Sequence, residues 1–271
     1  MDHTSPKALV IGIDGVRHDT LVRTSTPRLD GLADNGFLVK SMLYPRRPEE
    51  TSSGPGWSSV GTGVWPDKHL VKDNSFEGNR LPAYPDFLTR LQQAGRRTYA
   101  GLGWRPLGGI FGEGVGTRLV RDAEHEGFDV ADGHVLTHAC EHLAGADVDA
   151  AFVYIGAVDE CGHQVGAGEA YAEAIRKADE KVGRLLDAVA SRPGHVAEDW
   201  LVLAVTDHGH RDEGGHGGQT EVERTSWVVA SGAAVKEPDR PVEIVDIAPT
   251  VFGHLGLAVD PQWGLDGAAL V

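Results

Sequence analysis

Six short apolar runs punctuate the chain, at residues 8–13, 36–42, 97–101, 150–155, 201–205 and 227–230. Runs of this length, several of them continuous rather than alternating, predict strands buried on both faces, as in a parallel sheet. Between them the apolar positions fall at helical spacing. From 169 to 190, Ala174, Ile175, Ala178, Val182, Leu185, Leu186 and Val189 share one face, and Arg192, Pro193 and Gly194 end the segment. A shorter helix is predicted over 85–94, stopped by Gly95. Strand and helix in alternation predict a layered α/β sandwich whose ligands gather at the carboxyl ends of the strands. Residues 101–145 depart from the pattern. Gly108, Gly109, Gly112, Gly114 and Gly116 predict an irregular insertion or small cap there rather than a sheet element.

Composition narrows the picture without changing it. The 271 residues, 41% hydrophobic and 24% charged, suffice for one sizeable core, and no Ser-, Gly- or Pro-rich linker divides 1–271 into two domains. Forty acidic against 25 basic residues give a formal charge of −15, a field that repels polyanions and argues against a nucleic-acid polymer as partner. No stretch approaches the roughly 18 apolar residues of a membrane span, and the first apolar run is too short for a secretory signal. Two cysteines, Cys140 and Cys161, cannot build a disulfide framework. A cytoplasmic protein without a membrane partner is expected.

The chemistry-bearing residues cluster where strands should stop. Asp14 closes the first apolar run, Asp159 and His163 follow the fourth, and Asp207 and His208 follow the fifth, with His216 close behind in a glycine-rich stretch. Carboxylate oxygen with imidazole nitrogen, and no cysteine, suits Zn²⁺, with Mn²⁺ or Fe²⁺ as alternatives. Two sets of three ligands each leave an open position, as in catalytic sites. A pair of divalent ions about 4 Å apart is suited to in-line displacement at phosphorus. The required nucleophile is expected in residues 50–74. There a small-residue loop leads into a helix beginning near Trp57, and the helix dipole and free N–H groups would favour an oxyanion. Ser53 is placed for that role, with Thr51 and Ser52 as neighbouring alternatives.

These strings together, VIGIDGVRHD, a hydroxyl ahead of a small-residue turn, TG, WPDKH, DN, VDECGH, TDHGH, GGHGG and VDIAPTVFGHLG, resemble the alkaline phosphatase superfamily. Within it they are most similar to the type I phosphodiesterase and nucleotide pyrophosphatase branch, over residues 8–256. The resemblance implies a three-layer α/β/α sandwich with a mostly parallel sheet. It implies that Asp14, Asp207 and His208, with the Ser53 oxygen, hold the ion that activates the nucleophile, and that Asp159, His163 and His216 hold the second. A phosphoric ester hydrolase acting on a small phosphorylated substrate through a phosphoserine is the implied activity. A phosphomonoesterase, a phosphomutase and a non-catalytic metal-binding module are the alternatives. One departure stands out: Gly56, three residues past Ser53, occupies a position where the resemblance leads one to expect an Asn against the phosphoryl group.

Other polar residues receive plainer readings. His210 is left outside the ligand set, Asp212 and Glu213 read as solvated loop charges, and Cys161 as a small buried side chain. His134, His138 and His142 at i, i+4, i+8 read as a solvent-facing helical stripe. Arg17, Arg46, Arg47 and Lys68 could meet a phosphate by charge, but read first as surface residues. The chain has no GxSxG elbow and no GxxxxGK[ST] loop, which argues against a serine esterase and an ATPase.

Overall fold

The computed structural model describes residues 5–45 and 47–271. Seven strands, β1 (Ser5–Ile13), β2 (Gly36–Met42), β3 (Thr98–Leu102), β4 (Thr117–Val120), β5 (Ala150–Ile155), β6 (Glu198–Val205) and β7 (Thr225–Ser231), form one sheet in the order β2-β7-β6-β1-β5-β3-β4. Every pairing is parallel except the two made by β7. The helices are α1 (His18–Leu21), α2 (Pro27–Asp34), α3 (Ser53–Thr62), α4 (Pro66–His69), α5 (Phe87–Gln93), α6 (Ala123–Glu126), α7 (Phe128–Gly145), α8 (Ala157–Val165), α9 (Glu169–Ala190), α10 (Glu221–Arg224) and α11 (Ile247–His254). Among the described residues no helix is long and apolar enough to cross a membrane.

Side-chain alternation in the central strands builds two cores, because successive residues point to opposite faces. Ala8 and Val10 of β1, Phe152 of β5 and Leu203 of β6 face Trp57 and Val60 of α3, Phe87 and Leu91 of α5, and Phe252 of α11. Leu9, Ile11, Val153 and Ala204 face Leu29 of α2, Val135 and Leu143 of α7, and Ile175, Val182 and Leu185 of α9. Helices on both faces of a mostly parallel sheet make the sandwich expected from the sequence.

The segment 101–145 corrects its expectation. It holds an edge strand, β4, and an 18-residue helix, α7, besides irregular turns. Ala131, Val135, Ala139 and Leu143 do recur every four residues, but Gly133, Gly145 and three histidines dilute the stripe. The helix packs against the sheet beside α9, where its buried Asp132 accepts the Gly156 and Ala157 N–H groups (2.9 and 3.2 Å) at the start of α8 and pairs with Lys181 at 2.7 Å, while its first residue, Phe128, with Trp104, Pro106 and Glu124, lines a cavity at the strand ends.

Candidate metal centre

The three central strands β6, β1 and β5 end side by side, so the residues just beyond them converge. Asp14 follows β1 and is buried. Its Oδ2 accepts the Trp57 indole N–H (3.0 Å) and the Tyr154 hydroxyl (2.7 Å), while its Oδ1 has no partner. Gly12 makes the first contact possible: a Cβ there would lie 2.6 Å from the Trp57 ring. Asp207, beyond β6, repeats the arrangement. Its Oδ1 accepts the Gly15 N–H at 3.2 Å, and its Oδ2 is buried and partnerless. Native interiors rarely leave two carboxylate oxygens orphaned, and a cation-binding role is a standard reason.

Between these oxygens lies the His208 Nε2, 3.4 Å from Asp14 Oδ1 and 3.3 Å from Asp207 Oδ2. The His208 Nδ1–H donates to the Gly209 carbonyl (3.1 Å), leaving the Nε2 lone pair directed inward. A tetrahedral ion with bonds of 2.0–2.1 Å sets its ligands about 3.3 Å apart. The spacing observed fits that requirement.

A second set adjoins the first. Asp159 and His163 are four apart on α8, and their Oδ2 and Nε2 are 3.4 Å apart. The His216 Nε2 lies 2.9 Å from the His163 Nε2 and 3.5 Å from Asp159 Oδ1, and its Nδ1–H donates to the Thr51 carbonyl at 2.7 Å. Two imidazole nitrogens so close, facing one another, call for a shared proton or a cation.

Electrostatics agree. Burial, reinforced by the charge of Asp159, pushes the Asp14 carboxyl up to about 7, and burial with the charges of Asp14 and Asp159 drives Asp207 well above its ordinary range. Burial raises Asp159 too, but hydrogen bonds from His163 and His210 outweigh it and hold this carboxylate well below the usual range. Burial keeps His208 well below its ordinary value, hence neutral and able to ligate. The cost of three buried carboxylates is offset once divalent cations are bound.

Ser53 is the first residue of α3, and its Oγ stands 3.3 Å from the His208 Nε2, the spacing of two ligands on one ion. The neighbouring hydroxyls are placed differently. Thr51 Oγ1 donates to the Gly218 carbonyl (2.9 Å) and accepts from the Gly217 N–H (3.1 Å), bracing the loop that carries His216. Ser52 Oγ is buried and does not reach the cavity. That cavity, about 380 Å³, is lined by Asp14, Ser53, Asn74, Trp104, Pro106, Glu124, Phe128, Tyr154, Asp159, Glu160, His163 and His216, with no Lys or Arg among its described residues.

The expectation of free N–H groups at the start of α3 is corrected at two positions. The Gly54 N–H is taken by the Asn74 Oδ1 at 2.7 Å, and Pro55 has none. Asn74, part of the DN string, lines the cavity and places an amide beside Ser53. Gly56 has no room for it, since a Cβ there would lie 2.7 Å from the Asp207 Cβ.

The remaining candidates fall elsewhere. Arg17 is neither a cavity residue nor a solvated one: its buried guanidinium pairs with Asp19 (2.8 Å) and with Asp212, which is exposed yet engaged. Lys68 pairs with Asp266 at 2.7 Å, Arg47 lies 3.3 Å from Glu49, and Arg46 lies outside the described residues. The histidine stripe does not simply face solvent. His138 Nδ1 meets the Tyr99 hydroxyl (2.9 Å), His142 stacks on the Tyr99 ring with centroids 4.6 Å apart, and His134 lies 3.3 Å from Glu126. Cys161 is partly exposed along a neighbouring groove of about 470 Å³, not buried. His210, left outside the ligand set, is fully buried and touches Asp159; its nitrogen lies close enough to Asp159, His208 and His216 to join them around an ion.

Comparison with known proteins gives matches over the same residues. The family model described as type I phosphodiesterase / nucleotide pyrophosphatase matches residues 8–138 and 124–250. An ectonucleotide pyrophosphatase/phosphodiesterase of Caenorhabditis elegans is 32% identical over 73 residues, 27% of this chain and 8% of that protein. The catalytic subunit of GPI ethanolamine phosphate transferase 3 of Mus musculus is 26% identical over 230 residues, 82% of this chain and 19% of the relative. The chain thus spans less than a fifth of the length of these curated relatives. Among solved structures, a Bacteroides thetaiotaomicron putative sulfatase superposes with a TM-score of 0.75 at 16% identity, covering 98% of this chain and 74% of that one. Murine ectonucleotide pyrophosphatase/phosphodiesterase 5 gives 0.59 at 20% identity, over 75% and 57%.

Proposed function

The chain belongs to the type I phosphodiesterase / nucleotide pyrophosphatase family, and from that membership and the site geometry we propose that it is a metal-dependent phosphodiester hydrolase using Ser53 as nucleophile. The observation that carries this reading is the Ser53 oxygen, 3.3 Å from the inward nitrogen of His208, which itself lies within 3.4 Å of two orphaned carboxylate oxygens. Asp14, Asp207 and His208 would hold one divalent cation and Asp159, His163 and His216 another, with Zn²⁺ best suited to this mixture of oxygen and nitrogen donors. Bound there, such cations supply Lewis acidity that favours the deprotonated serine and offsets charge on the reacting oxygens.

The protein's own residues account for the rest. Ser53 Oγ releases its proton to bulk water and attacks phosphorus; the Oγ–P bond forms as the P–O bond to the departing alcohol breaks, and that oxygen keeps the electron pair. Water then displaces the phosphoryl group from Ser53, giving a monoester and net retention at phosphorus. Asn74, its carbonyl oxygen tied to the Gly54 N–H, is left with its NH₂ group to donate to a non-bridging oxygen. A neutral amide, in a cavity whose described lining includes no Lys or Arg, suits the single negative charge of a diester better than the double charge of a monoester.

The test compares bis(p-nitrophenyl) phosphate with p-nitrophenyl phosphate, with added Zn²⁺ or Mn²⁺ and with chelator. Diester turnover that needs metal, and that Ser53→Ala abolishes while bound metal is kept, is the expected result. Wild-type activity in Ser53→Ala, or undiminished turnover in chelator, overturns the proposal.

A further inference from the structure

We propose that His210 is a positioning residue, donating from Nε2 to Asp159 so that the carboxylate presents its other oxygen to the second cation; this rests on the metal reading above. His210 is fully buried, and its Nε2 lies 2.7 Å from Asp159 Oδ1. Unlike the 2.9 Å contact between the imidazole nitrogens of His163 and His216, this one joins a ring nitrogen to a carboxylate oxygen. It falls in the 2.7–2.9 Å range of an N–H donating to a carboxylate. His210 is therefore a hydrogen-bond donor beside the ion rather than one more ligand, although its nitrogen lies within ligand range of Asp159, His208 and His216. With Oδ1 engaged by His210, Oδ2 faces the His163 Nε2 at 3.4 Å and remains available.

The surroundings are shaped for this ring. A Cβ on Gly15, whose φ is +66°, would lie 2.8 Å from the His210 Nε2 and 2.5 Å from Asp159 Oδ1. A Cβ on Gly162, in the middle of α8, would lie 2.8 Å from the His210 Cε1 and Nε2. The imidazole thus fills a slot between the turn after β1 and the helix after β5, while being carried by the segment after β6. Its Nδ1 is buried with no hydrogen-bond partner, so nothing draws the proton from Nε2. Tyr171 closes the slot edge-on, with ring centroids 5.8 Å apart, and its hydroxyl donates to the Gly15 carbonyl. One imidazole so placed fixes both the rotation of Asp159 and the approach of α8. Outer partners of this kind typically change metal affinity about 10–100-fold.

The full chain, ¹⁵N-labelled at histidine and loaded with ¹¹³Cd, separates donor from ligand. Expected are cadmium couplings on the Nε2 of His163, His208 and His216, and at His210 a protonated Nε2 without coupling. In parallel, Zn²⁺ titration against a competing dye should show His210→Phe binding the second equivalent about 10–100-fold more weakly while the first is unchanged, with His210→Gln restoring part of the loss. Cadmium coupling at His210, or unaltered second-site affinity in a folded His210→Phe, overturns the inference while leaving the metal reading intact. A wild-type protein that binds no cation overturns both. If His210→Phe does not fold, the wild-type spectrum and His210→Gln still decide.

Discussion

Acidification should strain the link between the nucleophile helix and the loop that carries Asn74, because the two are joined by an imidazole that must stay neutral. His69, at the end of α4, is fully buried; its Nδ1 accepts the Val71 N–H (3.0 Å), so its Nε2–H donates to Ser59 Oγ (3.2 Å) on α3. Burial lowers its pKa from 6.5 to about 3. The sign follows directly. Above pH 6.5 the residue is neutral in both folded and unfolded chains and adds no pH dependence. Below it the unfolded chain takes up a proton that the folded chain refuses until about pH 3, so stability falls as pH falls, by about 1.36 kcal/mol per unit. At pH 4.5 the accumulated loss is 2 units, or about 2.7 kcal/mol. Asp86, pushed by burial from 3.8 up to about 6, acts in the opposite sense between those values, so the wild-type curve alone is not diagnostic. His69→Asn keeps an acceptor for the Val71 N–H and removes the titrating group. Urea unfolding of both proteins in chelator, from pH 7.5 to 4.5, should show the wild type losing its advantage over the variant by about 2.7 kcal/mol. A difference that stays flat with pH, or a His69 resonance titrating near 6.5, refutes the reasoning.

Two substitutions probe the supports of the site. Gly56→Asn forces a Cβ to 2.7 Å from the Asp207 Cβ and 3.0 Å from its carbonyl. It should cost about 1–3 kcal/mol in thermal or urea unfolding and most of the diester turnover, and an active variant of normal stability would show that the helix yields freely. Asp132→Ala removes the acceptor for two N–H groups at the start of α8 and leaves Lys181 only its 3.6 Å pair with Asp129, so unfolding in urea should register a loss of about 3–5 kcal/mol, much less for Asp132→Asn. Equal losses for both variants would place the effect in the lost charge beside Lys181 rather than in the acceptor and volume that Asn keeps.

Much of this was legible in the sequence because strand ends are local events. Asp14, Asp159 and Asp207 each stand at or just beyond an apolar run, and the sheet order brings those ends together without further information. The helix within 101–145 was not legible, since small apolar residues shared between glycines and histidines carry a weak periodic signal while their burial depends on α9. Nor was the burial of Arg17, whose charge is shared between the nearby Asp19 and Asp212, distant in the chain. Asn74 and His210 were overlooked for a common reason: what they do depends on Gly54 and Asp159, partners set by tertiary approach rather than by spacing. One signal did exist for His210. A second imidazole two residues past a ligand, on a chain leaving a buried strand, has little room to reach solvent.

The two donor sets differ in their access to water. Asp14, Asp207 and His208 are at most 1% exposed and lie under Ser53 and Trp57, whereas the side chain of His163 is 44% exposed. An ion in the inner set would be screened by three buried side chains and reached through the cavity that Asp14 and Ser53 line, whereas one in the outer set would be more open to competing chelators. Loading would therefore be ordered, with the outer position the one that senses the cation supply around the protein.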